Sequence, residues 1–124
     1  MMKIGIVGLG FVGLSLTSVL ASKGFDVIGI DIDEEKCKKI ANGITPFYEP
    51  DLEGMLKNGL KKKLKISHNF SLMNNCNFIF VTVGTPQNVN GAIELSIIKK
   101  AVSAIGKNLQ KNNNNPIIFI KSTV

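Results

Sequence analysis

Gly8, Gly10 and Gly13 form a G-x-G-x-x-G spacing directly after an apolar run, Lys3 to Val7, and at the opening of a small-residue helical pattern. In that setting each glycine has a task at a pyrophosphate. Gly8 permits the tight turn, Gly10 lets the backbone approach the phosphates, and Gly13 lets the helix pack close to the strand. The N–H groups of Phe11 and Val12 then lie at the positive end of the helix dipole, where phosphate oxygens find donors. Asp31 follows 18 residues after Gly13 and closes the run Val27 to Ile30. A carboxylate at that point accepts hydrogen bonds from the adenosine ribose and repels a 2′-phosphate, which favours NAD over NADP. Asp33 is the rival for this role, but its place before Glu34 and Glu35 suits a helix N-cap. Lys36 weighs the other way, since a nearby cation tolerates an added phosphate.

The remaining reactive side chains offer less. Cys37 and Cys76 share no metal-ligand spacing, and the single histidine, His68, lies near neither. Both thiols read as buried and inert, and no metal site is expected. The net charge is +6, and all fifteen basic residues are lysine. Nucleic-acid readers lean on arginine for bidentate contacts, so a nucleic-acid partner is not expected. The field of such a chain helps attract an anionic nucleotide but identifies none. Lys61 to Lys63 with Lys65 read as a solvated edge.

Positioning these groups requires alternating elements. The uncharged stretch Ile4 to Ser22 resembles a signal peptide or short membrane span in hydropathy alone. It divides instead into a strand, the glycine loop and a helix from Phe11 to Ser22 that stops at Lys23-Gly24. No membrane association and a cytoplasmic location are expected. A strand at Asp26 to Asp31, a helix from Asp33 to about Asn42-Gly43, a Pro46 to Pro50 loop and a short helix from Asp51 to Lys57 follow. A short strand is expected at Leu64 to Ser67, a strongly apolar one at Phe78 to Val83, and a last, buried-type one at Pro116 to Lys121. Between the last two, Leu95 to Gln110 carries Ile97, Ala101, Ile105 and Leu109 at helical steps, with Ile98 and Val102 beside them. This alternation predicts one α/β domain, a Rossmann-type doubly wound parallel sheet with helices on both faces.

Four separated segments resemble one family in the right order: Gly8 to Gly13, Pro46-Phe47-Tyr48-Glu49-Pro50-Asp51-Leu52-Glu53, Val83-Gly84-Thr85-Pro86, and Ile120-Lys121-Ser122-Thr123-Val124. The chain is similar to the N-terminal NAD-binding domain of the UDP-glucose/GDP-mannose dehydrogenase family, most like the branch oxidising UDP-glucose or UDP-N-acetylmannosamine. The resemblance implies oxidation of a sugar C6 alcohol to a carboxylate in two steps with two NAD. It implies dinucleotide contacts at Phe11, Val12, Asp31, Lys36 and Thr85, and a catalytic role for Thr123 in holding a water near the reacting centre. It further implies a UDP-sugar substrate and a homodimeric parent enzyme.

The resemblance implies that the family continues beyond the point matching Val124, into a further strand, a long connecting helix, a substrate domain and a second nucleotide-binding domain, and that the catalytic cysteine comes from those parts. Neither Cys37 nor Cys76 matches that cysteine. The expectation is therefore a domain truncated after its fifth strand, which binds NAD and catalyses nothing by itself. Its last strand is expected to form an exposed apolar edge prone to self-association. Glu49 as a general base and a mechanism for the Pro46 to Pro50 loop find no support in the sequence. Two other readings share the glycine loop: a β-hydroxyacid-type dehydrogenase and a ligand-sensing Rossmann regulatory module. Neither is expected to carry the later segments.

Overall fold

Runs of β-branched and aromatic residues form five parallel strands in the order β3-β2-β1-β4-β5. The computed structural model of the chain describes residues 2–84, 90–91, 95–109 and 115–121. The strands are β1 (Lys3–Val7), β2 (Asp26–Ile30), β3 (Lys65–Ser67), β4 (Phe78–Val81) and β5 (Ile117–Ile120). The helices are α1 (Phe11–Ser22), α2 (Glu34–Ala41), α3 (Leu52–Leu60) and α4 (Ser96–Leu109), with a 3-10 turn at Phe70–Asn75. The predicted alternation and doubly wound sheet are both present.

Two apolar clusters fill the two sides of the sheet. On one side Leu14 and Ala21 of α1, Ile40 of α2 and Leu52 and Leu56 of α3 pack with Ile4, Ile6 and Val27. On the other, Met73 and Cys76 join Ile98, Ala101 and Ile105 of α4 over Val7, Ile28, Ile30, Ile79 and Val81. The α4 stripe is rotated from the expected one. Ile98, Ala101 and Ile105 are buried, whereas Ile97 and Val102 are exposed. Adjacent isoleucines at 97 and 98 satisfy the same helical period, so periodicity alone does not choose between them.

The helix ends follow local chemistry. Asp33 caps α2 by accepting Lys36 N–H at 3.1 Å, so it takes the capping role that its place before Glu34 and Glu35 suited. Gly24 adopts φ +96° just after α1, and the Lys62 ammonium donates to Ser22 O at 2.8 Å. That contact gives one member of the lysine run a structural task beyond a solvated edge, since a cation satisfies an orphan carbonyl at the negative end of the helix. The Ile4 to Ser22 stretch is split between β1 and α1 as expected, and no helix among the described residues is long and apolar enough to cross a membrane.

The 3-10 turn Phe70–Asn75 departs from expectation, having no periodic signal in the sequence. The last strand is the exposed apolar edge expected of it: every residue from Ile117 to Ile120 is exposed, and among the described residues β5 pairs only with β4. Phe119 stacks on Phe80 with centroids 4.9 Å apart and lies 6.2 Å from Phe78, forming an aromatic row at this edge.

Candidate dinucleotide site

The register of the sheet sets the site. Val7 pairs with Ile30 on one side and with Val81 on the other. Three strands therefore end level, and Gly8, Asp31 and Thr82 are each the first residue beyond its strand. Connections run away from β1 in opposite directions, towards β2 and towards β4, so a crevice opens at the carboxyl edge between them. A cavity of about 610 Å³ occupies it, lined by Gly8 to Gly10, Asp31, Ile32, Lys36, Phe70, Thr82 to Gly84, and Ile97, Lys100, Ala101 and Ala104 of α4. That is the size of a cofactor pocket.

The glycine loop is tied down on its strand side. Gly8 takes φ +100°, a conformation open mainly to glycine, and a Cβ there would meet Val83 N at 2.8 Å. Gly8 N–H donates to Ile30 O at 2.7 Å. A Cβ on Gly13 would collide with Gly8 O and with Thr82 Oγ1, so the third glycine allows the close approach predicted for it. Gly10 is different: a Cβ there would meet no protein atom within 4 Å. The protein's own packing does not require a glycine at position 10, and the bare backbone there leaves room for a ligand to approach. Gly10 is also the N-cap residue of α1 and provides no side-chain cap. The first helical bond is Leu14 N–H to Gly10 O at 2.9 Å, so the amides of Phe11 and Val12 precede the ladder and can serve an anion.

Asp31 is buried and fully engaged. Oδ2 accepts Leu9 N–H at 2.8 Å and the Lys36 ammonium at 3.3 Å, while Oδ1 accepts Asp33 N–H at 3.0 Å. The cation beside this carboxylate is therefore paired with it, and its charge is largely offset for any additional phosphate. Four predicted residues, Gly8, Gly10, Asp31 and Lys36, line one cavity. Phe11 and Val12 stand at its helix terminus with more than half their surface exposed. Thr85 and Thr123 lie outside the described residues.

The Pro46 to Pro50 loop reaches the same edge. Phe47 packs partly into the α1–α3 core, and its ring lies 5.2 Å from that of Phe11. Tyr48 is 88% exposed. Glu49 offers its backbone carbonyl to Leu52 N–H at 3.1 Å, and Asp51 turns left-handed at φ 67° to start α3, a conformation Asp tolerates. The loop thus buttresses the N-terminal end of α1.

Neither cysteine enters the cavity. Cys37 is buried behind Asp31, its thiol 3.5 Å from Asp31 O and 3.4 Å from Ser67 O, and burial pushes its pKa up. Cys76 is buried beside Met73 against Gly5, and loss of solvation pushes its thiol up to about 11. Among the described residues no cluster of His, Cys, Asp and Glu could hold a metal. Thr82 was not anticipated. Its Oγ1 donates to Gly8 O at 2.7 Å, and nothing local in the sequence announces a partner 74 positions away.

The site fits a dinucleotide: unscreened helix amides, a glycine with no protein neighbour, and an acid at the end of β2. Comparison with known proteins agrees. The model of the UDP-glucose/GDP-mannose dehydrogenase family, NAD binding domain, matches residues 2–124. Over 99% of its length the chain is 38% identical to GDP-mannose 6-dehydrogenase of Pseudomonas syringae pv. tomato, covering 28% of that protein. Over its whole length it is 36% identical to UDP-glucose 6-dehydrogenase of Bacillus subtilis, covering 27% of it. A crystal structure of GDP-mannose dehydrogenase from Pseudomonas aeruginosa superposes with TM-score 0.95 at 32% identity, over 99% of this chain and 29% of that one. The chain spans less than a third of the length of these relatives. It belongs to the UDP-glucose/GDP-mannose dehydrogenase family, which it matches in the NAD binding domain.

Proposed function

We propose that this domain is the cofactor half of a nucleotide-sugar 6-dehydrogenase of the UDP-glucose to UDP-glucuronate type, and that the 124-residue chain alone binds NAD without turning over substrate. The observation that carries the binding reading is the contrast between Gly10 and Gly13: one glycine is required by the protein's own packing, whereas a Cβ at the other would meet nothing within 4 Å, which leaves the backbone at the helix terminus open to a ligand. When bound, NAD supplies the hydride acceptor. The chain's own residues bind and orient it. The amides of Phe11 and Val12 meet the pyrophosphate, and Asp31 with Lys36 meets the adenosine ribose. In this reading Thr85 contributes a further contact to the dinucleotide, and Thr123 helps hold a water near the reacting centre.

The choice of UDP-glucose rests on the resemblance of the Pro46 to Glu53, Val83 to Pro86 and Ile120 to Val124 segments to that branch. Absence of turnover is supported by both thiols. Cys37 and Cys76 are buried, protonated at neutral pH and outside the cavity, so the chain offers no thiolate to a sugar aldehyde. An assay of the chain with NAD and UDP-glucose, followed at the NADH absorbance, is expected to show no NADH while calorimetry shows NAD binding. Steady NADH formation, or a chain blind to NAD, would overturn the proposal.

A further inference from the structure

We infer that Thr82 is a positioning residue for the dinucleotide, acting with Asp31 to clamp the Gly8–Leu9 peptide plane and so to fix the direction of the phosphate-binding amides after it. The inference rests on the NAD reading of the site. Gly8 C=O and Leu9 N–H belong to one peptide unit, and both ends are held by side chains. Thr82 Oγ1 donates to the carbonyl at 2.7 Å, and Asp31 Oδ2 accepts from the amide at 2.8 Å. The two clamps come from opposite sides of β1, one from the end of β4 and one from the end of β2.

Thr82 carries a single hydroxyl proton, and Gly8 O is a nearer acceptor than Val7 O at 3.2 Å. Its backbone is anchored separately, through Thr82 N–H to Val7 O at 2.8 Å, so the strand does not need the hydroxyl. The loop does. A peptide following a glycine at φ +100° rotates with little steric hindrance. Rotation of this one would turn its carbonyl oxygen towards the cavity, where it would repel an anionic pyrophosphate and redirect the amides that follow. Position 13 belongs to the same device. A Cβ there would come within 2.5 Å of Thr82 Oγ1, so the third glycine makes room for the hydroxyl as well as for the helix.

The test titrates NAD, ADP-ribose and adenosine into the chain and its Thr82→Val and Thr82→Ser variants. Thr82→Val should weaken NAD and ADP-ribose by about tenfold, the scale of one buried hydrogen bond. It should leave adenosine, which lacks the pyrophosphate, within about twofold, and Thr82→Ser should restore NAD binding. In nitrogen-15 NMR spectra the Leu9 and Phe11 amides should move in Thr82→Val and return in Thr82→Ser. Thr82→Val that binds NAD like the parent, or that loses adenosine equally, overturns the inference while leaving the NAD reading intact. A parent chain that binds no NAD removes both. If Thr82→Val does not fold, Thr82→Ala takes its place, and the parent's Thr82 hydroxyl proton, expected to exchange slowly with solvent, gives an independent readout; fast exchange would overturn the clamp.

Discussion

The Asp31 carboxylate is bonded to the loop it works beside, with Oδ2 2.8 Å from Leu9 N. An acid read from its place in the sequence as a ribose ligand is therefore also a fastener of the glycine loop. The two roles separate by substitution. Asp31→Ala removes both and should weaken NAD by well over tenfold, more than ~1.4 kcal/mol. Asp31→Asn keeps an acceptor for Leu9 N–H and should be distinctly milder. Calorimetric titration of both variants checks the ordering; equal losses would mean that the loop bond contributes nothing.

Gly10 and Gly13 should respond oppositely to the same change. Gly10→Ala should leave the melting temperature within a degree or two, because a Cβ there meets no protein atom, yet reduce NAD affinity at least about tenfold by obstructing the backbone approach. Gly13→Ala should lower stability by about 1–3 kcal/mol through overpacking against Gly8 O and Thr82 Oγ1. Thermal melts and NAD titrations of the pair decide it. A destabilised Gly10→Ala that binds normally would contradict this assignment.

How far the sequence foretold these roles depends on distance along the chain. The glycine spacing, Asp31 and the Asp33 cap are local patterns with local physical causes, and each could be read before the fold was known. Thr82 could not, because its hydroxyl acts on a carbonyl 74 residues away. Lys62, capping α1 from 40 residues away, was invisible for the same reason. Ile97 and Ile98 were ambiguous because neighbouring helix positions share one period, and only the packing of α4 on Val81 and Ile79 chooses between them. The packing of the Phe47 loop was likewise visible only through a contact, its ring on Phe11, that no spacing rule contains.

The buried thiols predict both reactivity and pH dependence. Cys76, held up to about 11 against an ordinary value of 9.0, stays protonated in the folded chain while an unfolded chain ionises. Its contribution to stability is complete below pH 9 and is lost as pH rises through about 11. Denaturant melts from pH 7 to 11 should show a falling midpoint above pH 9. At pH 8 neither Cys37 nor Cys76 should react with a disulfide reagent until the chain is unfolded. Rapid reaction of a folded thiol would contradict their burial.

The exposed strand β5 should make the isolated chain self-associate. Ile117, Ile118, Phe119 and Ile120 carry no charge and are all exposed, the pattern of an edge open to pairing. Sedimentation should show mass rising with concentration, and Ile118→Lys should shift the chain towards monomer. A parent chain that stays monomeric at high concentration would remove this prediction.

The most direct measurement is a calorimetric titration of the chain with NAD and then with NADP. One saturable NAD site with NADP clearly weaker is the predicted result, because Lys36 is already paired with Asp31 and the buried acid repels a 2′-phosphate. No heat with NAD, or tighter binding of NADP, would contradict the assignment of this edge as an NAD site.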